Sequence, residues 1–106
     1  MTIDLGHIIL DFDPSDKDGK WNDFNKLSEN EGFRLPTLKE LSYLYSLKKD
    51  LEIGDFSDRW FWSSEVMERN IYSSGSKYYF KEFRDGIEDW EYAYMKSACL
   101  IRVYDK

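Results

Sequence analysis

Few side chains in this 106-residue chain could do covalent chemistry, and they occur singly. His7 is the one histidine and Cys99 the one cysteine, too few to complete a zinc site. Ser63 and Ser64 offer hydroxyls, but a serine nucleophile needs a base, and only His7 could supply one. His7 adjoins the apolar run Ile8-Ile9-Leu10, which suits a histidine packed against a strand or at its edge. Cys99 alternates with Ile101 and Val103, which marks it as a small core hydrophobe rather than a reactive thiol. The chain therefore reads as a non-enzyme that needs no cofactor. Carboxylates are more plentiful. Asp11, Asp13, Asp16 and Asp18 could hold calcium, but an EF-hand register with Gly19 at the sixth position puts Pro14 first and Asn25 twelfth. Charge is then missing where the ion requires it. Caps and turns account for the same residues, and no metal is assigned.

The remaining chemistry is recognition. Glu88-Asp89-Trp90-Glu91-Tyr92-Ala93-Tyr94 sets large aromatics beside carboxylates. Aromatics give contact area at small entropic cost, and acids steer a basic partner. The candidate ligand- or partner-binding residues are Arg84, Glu88, Asp89, Trp90, Glu91, Tyr92 and Tyr94, with Tyr72 and Tyr78 as flanks. The alternation of Trp90, Tyr92 and Tyr94 fits the core face of a strand equally well, so both readings stay open.

The elements that must position these residues follow from periodicity. Residues 3–12 read as a first strand around Ile8-Ile9-Leu10. Residues 13–19 are dense in turn formers. Trp21, Phe24 and Leu27 predict a helix over 20–30, with Asp16 or Asp18 as its cap and Gly32 just past its end. Thr37-Leu38-Lys39-Glu40 is a capping box opening a second helix to about residue 48, with Leu38, Leu41, Leu44 and Tyr45 on one face. Residues 50–58 read as a loop, and strands follow from residue 59 and over 77–84, with a polar tip over 70–76 between them. Asp85-Gly86 signals a hairpin. Residues 98–104 form a last strand with Cys99, Ile101 and Val103 toward the core. A strand, two helices and a run of antiparallel strands make an α+β layout, and the length allows a single domain over 1–106.

Two pieces in fixed order resemble the Lcl C-terminal domain family of the C-type lectin-like superfamily. They are Gly32-Phe33-Arg34-Leu35-Pro36-Thr37-Leu38-Lys39-Glu40-Leu41 and Trp60-Phe61-Trp62-Ser63-Ser64-Glu65, followed by Asp85-Gly86 and by Arg102 in the last strand. The first piece is also similar to one in the formylglycine-generating-enzyme branch, whose reactive cysteines or metal equivalent this chain lacks. The resemblance covers roughly residues 20–104. It implies two helices on a twisted antiparallel sheet with the first and last strands adjacent. It also implies structural roles for Arg34, Pro36, Thr37, Glu40, Trp62, Ser63 and Ser64. Arg34 would tie the helix start to the strands, Trp62 would sit in the core, and the serines would satisfy nearby backbone groups. The calcium-binding loop motifs of sugar-binding lectins are missing, which implies calcium independence. Val103 and Asp105 depart from the Cys and second Arg that the family often carries in its last strand.

Composition narrows the role. Aromatics make up 18% of the chain, which argues against disorder. The formal charge of −6 disfavours nucleic acid and suits a basic protein partner. No apolar run reaches ~18 residues, so no membrane span is expected. The start shows no leader pattern and one cysteine allows no internal disulfide, so a cytoplasmic location is expected, or an extracellular one if a leader was removed. The expected function is a non-catalytic ligand- or protein-binding module. The alternative is a stand-alone cytosolic inhibitor, an immunity protein or phage counter-defence factor, that neutralises a basic partner through its acidic-aromatic surface. Glycan binding is the weaker third reading, and the oligomeric state is left open.

Overall fold

A computed structural model describes residues 2–13, 16–51, 59–69 and 75–106, with backbone alone for 48–51. The element order is β1 (Thr2–Asp4), β2 (Ile8–Asp11), α1 (Trp21–Glu31), α2 (Leu38–Leu51), β3 (Trp60–Glu68), β4 (Lys77–Glu82), β5 (Glu88–Tyr92) and β6 (Arg102–Asp105). The expected loop over 50–58 and loop tip over 70–76 lie almost wholly outside the described residues, as does Tyr72.

Among the described residues the chain is α+β with two three-stranded antiparallel sheets, ordered β1-β2-β6 and β3-β4-β5. The reading of 3–12 as one strand is corrected to a hairpin. Gly6, at φ 91°, makes the reversal, and the Leu5 amide donates to the Ile8 carbonyl. The last strand pairs with β2 from Ile8↔Asp105 to Asp11↔Arg102, so the strands near the two chain ends are adjacent. The single expected sheet is two because residues 98–101 run between them without joining either ladder. Cys99 bridges Phe61 of β3, and beyond it Val103 of β6 bridges Arg34. Regular pairing in the last strand therefore begins only at Arg102.

Each helix covers one core. Leu41 and Leu44 of α2 pack with Ile8, Leu10, Phe61, Phe83, Ile101 and Val103. Trp21 and Phe24 of α1 pack with Phe33, Leu35, Trp62, Phe80 and Leu100. Neighbours along β3 point oppositely, so Phe61 enters one cluster and Trp62 the other, both fully buried. The α1 stripe is as read, with Trp21 and Phe24 buried and Leu27 partly so. Its expected acidic cap is not formed. Lys20 stands at the cap without a side-chain bond. Asp16 instead accepts from Arg102 at 2.6 Å, and Asp18 from the Cys99 thiol at 3.2 Å. At the other end Gly32 takes the left-handed conformation, and its amide donates to the Ser28 carbonyl.

The two sequence pieces that carry the resemblance lie against each other. Thr37 Oγ1 accepts from the Glu40 amide, and Glu40 Oε1 accepts from the Thr37 amide, which closes the capping box. Glu65 of β3 accepts from the Leu38 amide, and the Ser64 amide donates to the Pro36 carbonyl at 2.7 Å. Arg34 grips both Glu40 oxygens at 2.8 Å and reaches Asp105 of β6 at 3.0 Å. The guanidinium thus ties the start of α2 to the last strand through its planar fork of donors. Asp105, the departure noted in the last strand, is the second acceptor of that fork. Trp62 is buried, and its Nε1–H donates to the Gly19 carbonyl. Ser63 Oγ donates to the Tyr79 carbonyl and accepts from the Glu65 amide. Ser64 is exposed and contributes its main-chain amide rather than its hydroxyl.

Candidate functional site

The acidic-aromatic segment forms β5 over Glu88–Tyr92, on the edge of its sheet, with Ala93 and Tyr94 in the turn that follows. The turn after β4 sets its register: Gly86 has φ 80°, and Asp85 Oδ1 accepts from the Ile87 amide. Lys81 then faces Glu88, Tyr79 faces Trp90 and Lys77 faces Tyr92. These cross-strand partners share one face of the sheet. Helix α2 covers only the end near the turn. There the buried Lys81 ammonium donates to Glu88 and to the Gly86 carbonyl, and it sits 5.4 Å from the Tyr45 ring centroid. Ser42 Oγ of α2 also donates to Glu88. Glu88 is therefore tied into the helix–sheet junction.

Among the described residues nothing covers the face beyond α2. Trp90 and Tyr94 are each 36% exposed, and Tyr92 and Tyr79 are half-buried. The rings run in a row: Trp90 and Tyr92 lie 6.0 Å apart and nearly perpendicular, and Tyr92 and Tyr94 lie 5.8 Å apart. Lys77 puts its ammonium 4.5 Å from the Trp90 centroid and 5.3 Å from that of Tyr92, and pairs with Glu68 at 3.1 Å. The Glu68 carboxylate holds the Lys77 ammonium above the usual lysine range. Ala93 is buried, its amide donating to the Ser76 carbonyl and its carbonyl accepting from Asn22, which pins the segment to the body.

The outer edge of β5 is closed by its own side chains. Asp89 accepts from the Trp90 amide at 2.8 Å, and Glu91 from the Tyr92 amide at 2.9 Å. Carboxylates over the edge amides oppose pairing with another chain. Arg84 is exposed in the turn before Gly86. Of the suggested flanks, Tyr78 faces the other way and stacks on Trp21 at 3.5 Å. The structure thus brings Trp90, Tyr92 and Tyr94 together on an open face. It sets Asp89 and Glu91 along its rim, engages Glu88 in the junction, and leaves Arg84 apart.

Sequence reasoning missed Lys77 and Tyr79. Counting back from a two-residue turn at Asp85-Gly86 would have put them on the face of Trp90 and Tyr92, although two residues out of the observed register. It also missed Glu65 as a helix cap, since its partner amide is 27 residues away.

The other chemistry-bearing residues lie elsewhere. His7 is exposed in the β1–β2 turn and lines a groove of about 440 Å³ with Thr37, Lys39 and Tyr43. Cys99 is buried, and burial together with Asp18 pushes its thiol up to about 11. Asp11 accepts from Thr2, while Asp16 and Asp18 are engaged as above. Among the described residues no three His, Cys, Asp or Glu side chains are grouped to hold a metal ion. Among them, too, no helix is long and apolar enough to cross a membrane. Comparison with protein-family models, curated proteins and solved structures returned no match for the chain.

Proposed function

We propose that the chain is a non-catalytic binding module of C-type-lectin-like fold, akin to the Lcl C-terminal domain family. It engages a protein partner through the acidic-aromatic face of β4 and β5. The observation that carries this reading is the exposure of Trp90, on an edge strand rimmed by Asp89 and Glu91, and of Tyr94 just past the end of that strand beside Tyr92. A row of rings serving only as core would lie under a helix, as Phe61 and Phe83 do under α2. The fold assignment draws support from the adjacent first and last strands, and from the contact between the Arg34–Glu40 piece and the Trp62–Glu65 piece. The net charge of −6 favours one narrower reading, an inhibitor that neutralises a basic partner.

The test is affinity capture at moderate salt with the wild type, with Trp90→Ala, and with the double variant Asp89→Lys/Glu91→Lys. One basic protein, captured by the wild type and lost from both variants and at high salt, is expected. Equal capture by all three, from variants that still melt cooperatively, refutes the assignment of this face. A captured partner indifferent to salt refutes the inhibitor reading.

A further inference from the structure

From the geometry around Lys77 we infer that Trp90 and Tyr92 form a cation seat for a lysine side chain of the partner, occupied in the free protein by the chain's own Lys77. This rests on the proposed binding face and names what that face recognises. The two rings stand at 87° and form a corner, and the Lys77 ammonium lies within about 6 Å of both centroids, the range of cation–ring attraction. The ring faces are electron-rich, so the corner favours an alkylammonium over a neutral group. The Glu68 carboxylate completes it at 3.1 Å and is itself 54% exposed, so it can follow Lys77 out of the seat.

The other lysine–ring contacts differ. Lys81 meets Tyr45 while its ammonium is buried and bonded to Glu88 and Gly86. Lys96 lies over Trp60, which is stacked on Phe80 in the core. Among the described residues, only at Trp90 does a lysine rest on a ring that is itself exposed and on an edge strand. An incoming lysine can therefore reach the rings from solvent, and the rim carboxylates Asp89 and Glu91 complement a basic surface around it. Lys77 swings away with Glu68 as the partner's ammonium enters. No covalent bond is made or broken.

An exposed contact of this kind keeps the seat filled about four-fifths of the time. Removing Lys77 should then tighten binding of a competing ammonium about fivefold. The probes are Nα-acetyl-lysine methylamide and a pentalysine peptide, with the Nζ-acetylated peptide as the uncharged control. The readout is the Trp90 indole N–H resonance, identified by its loss in Trp90→Phe. The indole signals of Trp21 and Trp62 report that each variant remains folded. Expected are binding by the wild type, about fivefold tighter binding by both Lys77→Ala and Lys77→Gln, and none by the acetylated control. Unchanged or weaker binding by the Lys77 variants overturns the exchange, and so does equal binding of the control. Either result leaves the binding face standing if Trp90→Ala still loses the captured partner. Undiminished capture by Trp90→Ala overturns the face itself.

Discussion

Replacing Arg34 by alanine removes the fork that joins α2 to the last strand, and the cost can be worked from its contacts. Two charge-assisted bonds to Glu40 at 2.8 Å are lost, and the Glu40 side chain is only 15% exposed. Bonds of this type contribute about 1.5–3 kcal/mol, and a carboxylate left at that depth with only the Thr37 amide as partner is poorly rehydrated. The Arg34 side chain is 35% exposed, so solvent screening holds the expected loss to about 2 kcal/mol. For a domain of this size that lowers Tm by about 10 °C. Lysine at the same position keeps the charge but not the planar fork, and should recover less than half of the loss.

The pH dependence follows from the two acceptors. Burial pushes the Glu40 carboxyl up, but Arg34 and the Thr37 amide together hold it below its ordinary 4.5. The Arg34 bond holds Asp105 below its ordinary 3.8. Carboxyls lowered by folding stabilise above their unfolded values and lose that contribution as pH falls through the folded ones. The gap between wild type and Arg34→Ala should therefore be full near neutral pH and narrow below about pH 4. Urea unfolding followed by tryptophan fluorescence measures it. A loss under about 0.5 kcal/mol at neutral pH, or a gap unchanged at about pH 2, would refute the assignment of stability to this clasp.

Two further outcomes are expected. Ser63→Ala leaves the half-buried Tyr79 carbonyl and the Glu65 amide without the hydroxyl that serves both, and should cost about 1–2 kcal/mol by the same urea assay. A loss near zero would mean that those groups find other partners. Cys99, with its thiol pushed up to about 11 by burial and Asp18, should react with a disulfide reagent at least ~100-fold more slowly in the folded chain than in guanidinium. Equal rates would contradict its burial.

The parts of the fold legible in the sequence are those set by neighbours along the chain. The Thr37–Glu40 capping box and the left-handed Gly32 mark helix ends, and Asp85-Gly86 marks a hairpin, because the bonds involved span four residues or fewer. What stayed illegible depends on distant partners. Asp16 and Asp18 are good local caps, yet Arg102 and Cys99 claim them from more than 80 residues away. Gly6 splits the first strand, but the apolar run after it reads as one continuous element. At the candidate site, alternation puts Trp90 and Tyr92 on one face without saying which. The outcome turns on how far α2 reaches: Ser42 and Tyr45 meet Glu88 and Lys81, and the helix leaves the rings beyond them open.

The segment between the sheets has a consequence for how the molecule comes apart. Cys99, Ile101 and Val103 point into one hydrophobic cluster while Ala98 and Leu100 point into the other. Every second side chain belongs to a different half, so the segment cannot leave one cluster without leaving both. A one-residue insertion would exchange the two sets and mismatch both fillings at once. The halves are thereby coupled into a single melting unit. Amide exchange at Cys99 and Val103 should proceed only through global opening, while the solvent-facing edge of β5 is free to breathe on its own.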